Sequence, residues 1–354
     1  MEAGPWYATR EMVKGASDIK ETAGLNGAID RNLERCARDA EQALGWLHFY
    51  PIQATRYFDW PDRQMGDPWN LWLDDNPLIS LSAATSGDDA LTVGTDLFLE
   101  PTNRGVPYRM VRINSSSSAS WSSGASTFQR ALALTGLWAY GNRTSASATL
   151  AAAVADAVTT SVDVSNSSKI GVGDLVQLDI ERCVVTDKLE RDTGVNTTGA
   201  LTNEKGARAL TVPDGTVFFA GEVITVDVES MRIERVLGNT LVVTRAWDGT
   251  VLAAHNTNSD IYAPRRLVVQ RGFGGTTAVA HDSGATVLRW VPPLSLTEWV
   301  LAEAQNAIAQ ENSAWARVIG VSEAEREAHA KGLIDLRKTV RNTLGRRRGR
   351  KSVI

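Results

Sequence analysis

Two histidines occupy matching places in a repeated stretch of the sequence, and they are the side chains best suited to chemistry. His255 ends residues 245–255 and His281 ends residues 271–281; both stretches begin with Arg and share Gly-Thr and Ala-His at equivalent positions. Two imidazoles with an aspartate nearby could bind a metal ion, but catalytic zinc usually has a third protein ligand, and the spacing places none. The alternative is that each histidine follows a Gly-Thr turn and hydrogen-bonds its own hairpin.

A second repeat, which lies earlier in the chain, carries paired carboxylates. Residues 173–185 match residues 221–233. The match aligns Asp179 and Glu181 with Asp227 and Glu229. Carboxylates at i and i+2 share one face of a strand, where they could do acid–base work or bind calcium. Because scaffolds are duplicated more readily than active sites, we interpret both pairs as a solvated strand face. We interpret the repeated arginines, Arg245 and Arg271, as supports for turns.

Other catalytic signatures are missing from the sequence. It contains no nucleophile elbow, phosphate loop, dinucleotide fingerprint or His-Glu-x-x-His motif. The two cysteines, Cys36 and Cys183, lie far apart and form neither a disulfide framework nor a metal-binding spacing. Both are therefore expected to be buried apolar positions. We predict a protein that is not an enzyme and that uses no cofactor and no metal.

Length and composition indicate an ordinary globular protein made in a reducing cytosol. The 354 residues suggest about two domains, and the contents of hydrophobic residues (43%) and charged residues (22%) are typical of soluble proteins. The N-terminus lacks the basic start and apolar core of a signal peptide. No apolar stretch is long enough to span a bilayer, so we expect no membrane contact.

The charge is distributed unevenly along the chain. The net charge is −4, yet eight of the 37 basic residues lie between positions 337 and 351, where there is no acid. Without those eight, 29 basic residues face 41 acidic ones, so residues 1–336 carry −12. A body this acidic repels nucleic acid over most of its surface. We interpret the basic tail as a segment that docks on an acidic protein partner, with transient non-specific contact to DNA as the alternative.

The elements that would position these residues fall into zones. Helical spacing predicts helices over residues 7–48 and 293–345, and short aromatic and β-branched runs predict a small sheet over residues 55–141. The duplicated strands of residues 145–292 predict an all-β sandwich or barrel. The predicted fold class is α+β: a helical adaptor core, made by the N- and C-terminal helices plus the small β-sheet, with an inserted all-β domain. The predicted domain segments are residues 1–144, 145–292 and 293–354.

Six stretches outside the predicted all-β domain of residues 145–292 resemble a known family. They read "TREMVKGASDIKETAGLNGAIDRNLERCARDAEQALG", "FYPIQATRYFDWP", "LWLDDNPLISLSAATSG", "LFLEPTNRGVPYRMVRIN", "TGLWAYG" and "RVIGVSEAEREAHAKGLIDLRKTVRNTLGRRRGR". They resemble the head-to-tail adaptor (connector, or head completion) proteins of long-tailed bacteriophages, especially the actinobacteriophage type. The resemblance covers residues 7–141 and 293–350. The predicted all-β domain between them, residues 145–292, does not share it and is interpreted as an insertion.

The resemblance implies a structural protein of the phage neck, made in the host cytoplasm. Such proteins form a ring that joins the portal to the stopper or tail terminator and lets the genome pass. The implied partners are the portal protein, the next neck protein, further copies of the chain in a dodecamer, and the capsid through an outward-facing β domain. The family docks on the portal through its C-terminal segment. Here the implied portal-docking residues are Leu333, Leu336, Arg337, Arg341, Leu344, Arg346, Arg347, Arg348 and Arg350.

Two other functional classes stay open from the sequence. A virion protein that binds a carbohydrate or receptor through the β domain would show clustered exposed Trp or Tyr there, and the candidates are Trp247, Tyr262 and Trp290. A metal-dependent hydrolase would use His255 and His281 and would purify with stoichiometric zinc.

Overall fold

Helices form at both ends of the chain. The computed structural model describes residues 4–17, 24–60, 69–122, 127–312 and 323–345, without the side chains of residues 323–331. The helices of these ranges are α1 Arg10–Ala16, α2 Asn26–Leu44, α3 Leu294–Asn312 and α4 Glu323–Leu344. α1 begins after Thr9, whose side-chain oxygen accepts a 3.2 Å hydrogen bond from the amide of Met12. α2 ends at Gly45 in the left-handed conformation that glycine adopts most easily.

Seven strands in the N-terminal part form two small antiparallel sheets. They are β1 Ile52–Phe58, β2 Asn70–Trp72, β3 Leu78–Ser86, β4 Asp89–Leu91, β5 Leu97–Glu100, β6 Met110–Ile113 and β7 Leu132–Trp138. The strand orders are β1-β7-β3-β4 and β2-β6-β5. The two sheets share one apolar core, in which Leu78, Leu134 and Trp138 are fully buried. The buried indole of Trp138 donates a 2.8 Å hydrogen bond to the carbonyl of Ala54, which satisfies its only polar group.

Ten strands form one large antiparallel sheet. They are β8 Thr144–Thr149, β9 Ser161–Asp163, β10 Leu175–Leu178, β11 Glu181–Asn196, β12 Ala209–Thr211, β13 Val223–Val226, β14 Glu229–Leu237, β15 Thr240–Thr244, β16 Asp260–Gln270 and β17 Thr286–Trp290. Their order is β12-β15-β14-β13-β16-β11-β10-β17-β8, with β9 beside β16. Two separate apolar clusters pack on this sheet, one containing Cys183 and Leu267 and the other Met231 and Ile261.

The two sequence repeats correspond to one duplicated structural unit. In the first copy, β11 pairs with β16 through Val184↔Gln270 and Val185↔Val269, followed by a β-bulge. In the second copy, β14 pairs with β15 through Arg232↔Thr244 and Ile233↔Val243, again followed by a β-bulge. The repeat with the carboxylates leads into the first strand of each pair, and the repeat with the histidines follows the second strand. Both sequence repeats therefore describe the same duplication.

One copy of this unit is inserted into the other. In the second copy the β14–β15 hairpin closes with a two-residue turn, Gly238-Asn239, between the paired Leu237 and Thr240. The equivalent hairpin of the first copy does not close: β11 and β16 continue side by side into the second copy. We call residues 190–265 the inner module, and residues 144–189 with 266–290 the outer module. The inner module occupies the place of a hairpin turn in the outer one.

The prediction of a helical adaptor core is wrong. The described residues are mostly β, with three sheets, one of them ten-stranded, beside four helices. Helices from both chain ends pack in one apolar cluster, but that cluster also includes Leu175, Val184, Phe273 and Trp290 of the large sheet and its loops. Four helices, one of only seven residues, do not enclose a core of their own. They instead form a layer that covers the outer module, because a helix must bury its apolar stripe against another element.

Candidate functional site

The inner module buries a carboxylate inside a closed hydrogen-bond network. Glu229 is fully buried and accepts two hydrogen bonds of 2.7 Å from Nε and Nη2 of Arg245. The amides of Ala246 and Ala253 donate to it at 2.8 and 3.0 Å. Nε2 of His255 lies 2.9 Å from Oε2. Protein donors thus replace the water that burial removes from this carboxylate.

The outer module contains the same network in equivalent positions. Glu181 is fully buried and accepts two 2.7 Å hydrogen bonds from Arg271. The amides of Gly272 and Val279 donate at 3.0 and 3.1 Å, and Nε2 of His281 lies 2.9 Å away. We call each set of Glu, Arg and His, with its two amides, a carboxylate network.

Each arginine also ties a distant loop to its network. The guanidinium donates three further hydrogen bonds to backbone carbonyls, and two of these carbonyls lie in the loop before β12 or β9. The loop acceptors are Thr202 and Ala207 for Arg245, and Asp156 and Thr159 for Arg271. The repeated arginines therefore support turns, as the sequence predicts, and they do so while neutralising a buried carboxylate.

The interpretation of the carboxylate pairs as solvated strand faces is wrong for the glutamates. Glu181 and Glu229 are fully buried, whereas the side chains of Asp179 and Asp227 are 60% and 53% exposed. The i and i+2 rule holds for extended strands. Asp179 and Asp227 have φ of +52° and +53°, so each occupies a tight turn. The aspartate side chain therefore does not lie on the same strand face as the glutamate.

The networks hold both buried glutamates ionised. Burial raises the pKa of Glu181, but hydrogen bonds from Arg271, His281 and two backbone amides outweigh it and lower the pKa to about 2. Burial likewise raises the pKa of Glu229, and the equivalent donors lower it to about 2. A charged carboxylate is the form that accepts from every donor of the network. Neither glutamate is therefore available as a general acid at neutral pH.

Each of the two histidines contacts a carboxylate through each of its ring nitrogens. Nδ1 of His255 lies 2.7 Å from Asp227, opposite the contact of Nε2 with Glu229. His281 faces Asp179 and Glu181 at the same distances. Because each ring nitrogen already contacts a carboxylate oxygen, both polar atoms of each ring are engaged within the chain. Within the described ranges, no group of three or more His, Cys, Asp and Glu side chains could hold a metal ion.

A cleft of about 740 Å³ lies where α1 meets both modules. Four of its cations form ion pairs: Arg10 with Asp30 and Asp187, Lys14 with Asp248, Lys188 with Glu11, and Arg289 with Asp174. Burial raises the pKa of Asp174 to about 6. Because these four charges are matched within the chain, we interpret the cleft as the seam along which α1 docks on the modules.

The apolar residues of the implied portal-docking segment pack against the body of the chain. Leu344 is buried, and its carbonyl accepts a 2.7 Å hydrogen bond from the indole of Trp46. Leu336 packs against the helical cluster, next to the fully buried Val340, and Leu333 is half-buried. These leucines fix α4 to the chain itself.

The basic residues of the same segment have different environments. Arg337 forms a bidentate ion pair with Glu303 of α3, whereas Arg341 is exposed. Arg346, Arg347, Arg348 and Arg350 lie outside the described residues.

Sequence reasoning missed that the two repeats meet in one network. It treated the Asp-x-Glu pairs and the Arg-to-His stretches as separate features, although Glu229 accepts from Arg245 and Glu181 accepts from Arg271. A signal existed: each repeat occurs twice, so the two could have been assigned to one duplicated unit. No comparable signal marks the ion pair between Lys14 and Asp248, which are 234 positions apart.

Comparisons with known proteins do not place the chain in a family. No family model, no curated protein and no solved structure matches it. Among the described residues, no helix has the length and apolar character needed to cross a membrane. The function is therefore inferred from the residues and geometry of this chain.

Proposed function

We propose that the chain is a structural subunit of a phage neck and has no enzymatic activity. In this proposal it forms a ring, a dodecamer, that joins the portal to the stopper or tail terminator and lets the genome pass. The basic residues at the end of the C-terminal segment dock on the portal, while its leucines hold α4 to the body of the chain. The proposal combines the resemblance of residues 7–141 and 293–350 with the geometry of the described side chains.

The carboxylate networks are the observation that carries this proposal. The residues with the best catalytic potential, His255, His281, Glu181 and Glu229, use their polar atoms to hold loops and hairpins together. A duplicated module with this rigid interior favours a scaffold. A catalytic site would instead need a base or ligand whose polar atoms are not already engaged within the chain.

Exposed aromatic residues of the small sheets favour contacts with further subunits. Trp72 and Phe98 alternate with buried neighbours, so they lie on the outer face of the β2-β6-β5 sheet, where they are 46% and 41% exposed. Tryptophan and phenylalanine are enriched in protein interfaces. A closed ring made of identical subunits needs two such surfaces on each subunit.

The receptor-binding alternative receives less support from the β modules. Trp247 and Trp290 are 8% and 3% exposed, and Tyr262 is 37% exposed. Sugar- and receptor-binding sites of the expected kind present several exposed aromatic rings together. These three residues do not provide such a cluster.

Immunoelectron microscopy of virions from the source tests the proposal. Antibody against the chain should label one vertex, at the junction of head and tail, after mild disruption. Label over the capsid surface or at the tail tip, or particles without label, would remove the neck assignment.

Portal binding by a truncated chain tests the docking segment separately. A chain that ends at Gly345 keeps the packing of Leu344 and the hydrogen bond from Trp46, so it should fold like the full chain. It should not bind portal rings in co-sedimentation, whereas the full chain should. Equal binding by both chains would show that residues 346–354 do not dock.

A further inference from the structure

A small groove lies beside the C-terminal end of α4. It encloses about 310 Å³ between the β5–β6 loop, residues 101–109, and the helix end at Thr343, Leu344 and Gly345, and Tyr140 also lines it. This volume is at the lower end of the range for ligand pockets. The groove therefore has room for a few side chains of a partner, but not for a folded domain.

Both walls of the groove are fixed to the body of the protein. The β5–β6 loop is held at its start by a 2.8 Å hydrogen bond from the amide of Thr102 to the carboxylate of Glu100. At its end, Tyr108 exchanges two backbone hydrogen bonds, of 2.7 and 3.0 Å, with Leu78 of β3. The opposite wall is held by the contact between Leu344 and Trp46. A partner would therefore meet a preformed surface.

The charge of the groove is unbalanced. Arg104 and Arg109 line it and are exposed, and none of the described residues that line it is acidic. Across the described ranges, neither guanidinium has an ion-pair partner within 4.0 Å. In the larger cleft, Arg10, Lys14 and Arg289 are each paired with a carboxylate, although Lys169 and Arg232 also line that cleft and have no ion pair among the described residues. The chain as a whole is acidic, with a net charge of −4. Two arginines that have no ion-pair partner among the described residues would attract a negatively charged group of a partner molecule.

Most of the remaining lining residues are apolar, and Thr343 adds a hydroxyl group. Pro101, Pro107 and Tyr140 form the walls, and Val106 is 49% exposed at the rim. Apolar walls beside a pair of arginines match a polypeptide with acidic and apolar side chains. They match a sugar–phosphate backbone less well, because a backbone offers no apolar groups to the walls and the acidic body repels it.

We propose that this groove binds an acidic segment of a partner polypeptide, with Arg104 and Arg109 contacting its carboxylates and Val106 its apolar side chains. The identity of that partner as the portal rests on the proposed function, since the groove adjoins the start of the docking tail at Gly345. Binding of an acidic segment as such rests on the groove alone.

Fluorescence anisotropy with the full chain tests this proposal. The probe is a labelled oligoglutamate peptide, compared with oligoglutamine of the same length. R104Q/R109Q should weaken oligoglutamate binding at least about threefold, as expected from the loss of two exposed charge pairs. R235Q is the matched control, because Arg235 is exposed on β14 of the inner module, and it should leave binding unchanged. Circular dichroism should show equal folding of all three proteins.

Several outcomes would overturn the proposal. One is equal affinity of wild type and R104Q/R109Q, or an equal loss in R235Q. Another is binding that disappears only when the basic residues 346–351 are replaced by glutamine, which would assign it to the tail. A third is binding of a short DNA duplex as tight as that of oligoglutamate and equally sensitive to R104Q/R109Q. If the peptide binds as expected and virions carry no label at the neck, the neck assignment fails while the groove stands.

Discussion

Glu181 and Glu229 show how one residue type can carry a structural role that its sequence context hides. The Asp-x-Glu pattern suggests an exposed pair, and the aspartates are indeed exposed, but the glutamates are buried against Arg271 and Arg245. The existence of the two repeats can be read from the sequence. The contact between the two repeats cannot be read from the sequence. The left-handed turn at Asp179 and the pairing of Glu181 with Arg271, 90 positions away, are both set by the folded backbone.

Glu229→Gln should destabilise the inner module strongly. The substitution keeps the size of the side chain but removes the charge opposite the buried Arg245. Breaking a buried ion pair from one side costs about 3–5 kcal/mol. Urea denaturation followed by circular dichroism measures this loss. Glu204→Gln, at an exposed loop position of the same module, is the control, and equal stability of the two variants would contradict the structural role of the network.

Glu41 should make stability depend on pH in the opposite direction from the network glutamates. Burial raises the pKa of Glu41 to about 7, despite the nearby Arg38 and the hydrogen bond from Tyr7. The unfolded chain releases this proton near pH 4.5, so folding loses stability as the pH rises from about 4.5 through 7. In Glu41→Gln, the melting temperature should fall less between pH 5 and pH 8 than in the wild type. Parallel curves for the two proteins would contradict this assignment.

At the scale of elements, local patterns predicted the long helices better than the sheets. The helical spacing predicted within residues 7–48 corresponds largely to α2, which spans Asn26–Leu44, because a helix satisfies its own backbone and needs no distant partner. β9 and β12 have three residues each and exist only because β16 and β15 lie beside them. Such pairings join distant parts of the chain, so no short window of sequence contains them.

Leu344→Ala should loosen α4 without unfolding the sheets. Leu344 is 6% exposed in the helical cluster, and truncating a buried leucine to alanine costs about 2–5 kcal/mol. Hydrogen exchange of the amides in α4 should accelerate, while those of β10 and β14 should stay protected. Ile334→Ala on the same helix is the control, because Ile334 is 58% exposed. Equal exchange in both variants would mean that α4 is not held through its C-terminal end.

At the scale of the whole molecule, the chain is a set of layers built around a nested pair of modules. The outer module carries the helices on one side through Phe273 and Trp290, and the inner module reaches α1 through Asp248. Composition and zone order predicted a β domain between helical ends. They did not predict that the helices depend on that domain for their core, because the shared apolar cluster draws residues from widely separated segments of the chain.

The nesting predicts that the inner module can be removed. Replacing residues 190–265 with Gly-Asn should reproduce in the outer module the turn that closes the inner one. The shortened chain should melt cooperatively and keep its sensitivity to Glu181→Gln, as measured by circular dichroism. An Ala-Ala joint is the control and should be about 1–2 kcal/mol less stable, because Gly238 has a φ of +57°. An unfolded Gly-Asn chain would contradict the nested arrangement.

The same nesting sets an order of events during synthesis. Glu229 and Arg245 are 16 positions apart, whereas Glu181 and Arg271 are 90 positions apart. The cost of closing a loop grows with its length. Once the inner module has folded, its two ends hold β11 and β16 side by side, and the outer loop is in effect very short. We therefore expect the inner module to fold first and then to bring together the two segments of the outer module that surround it.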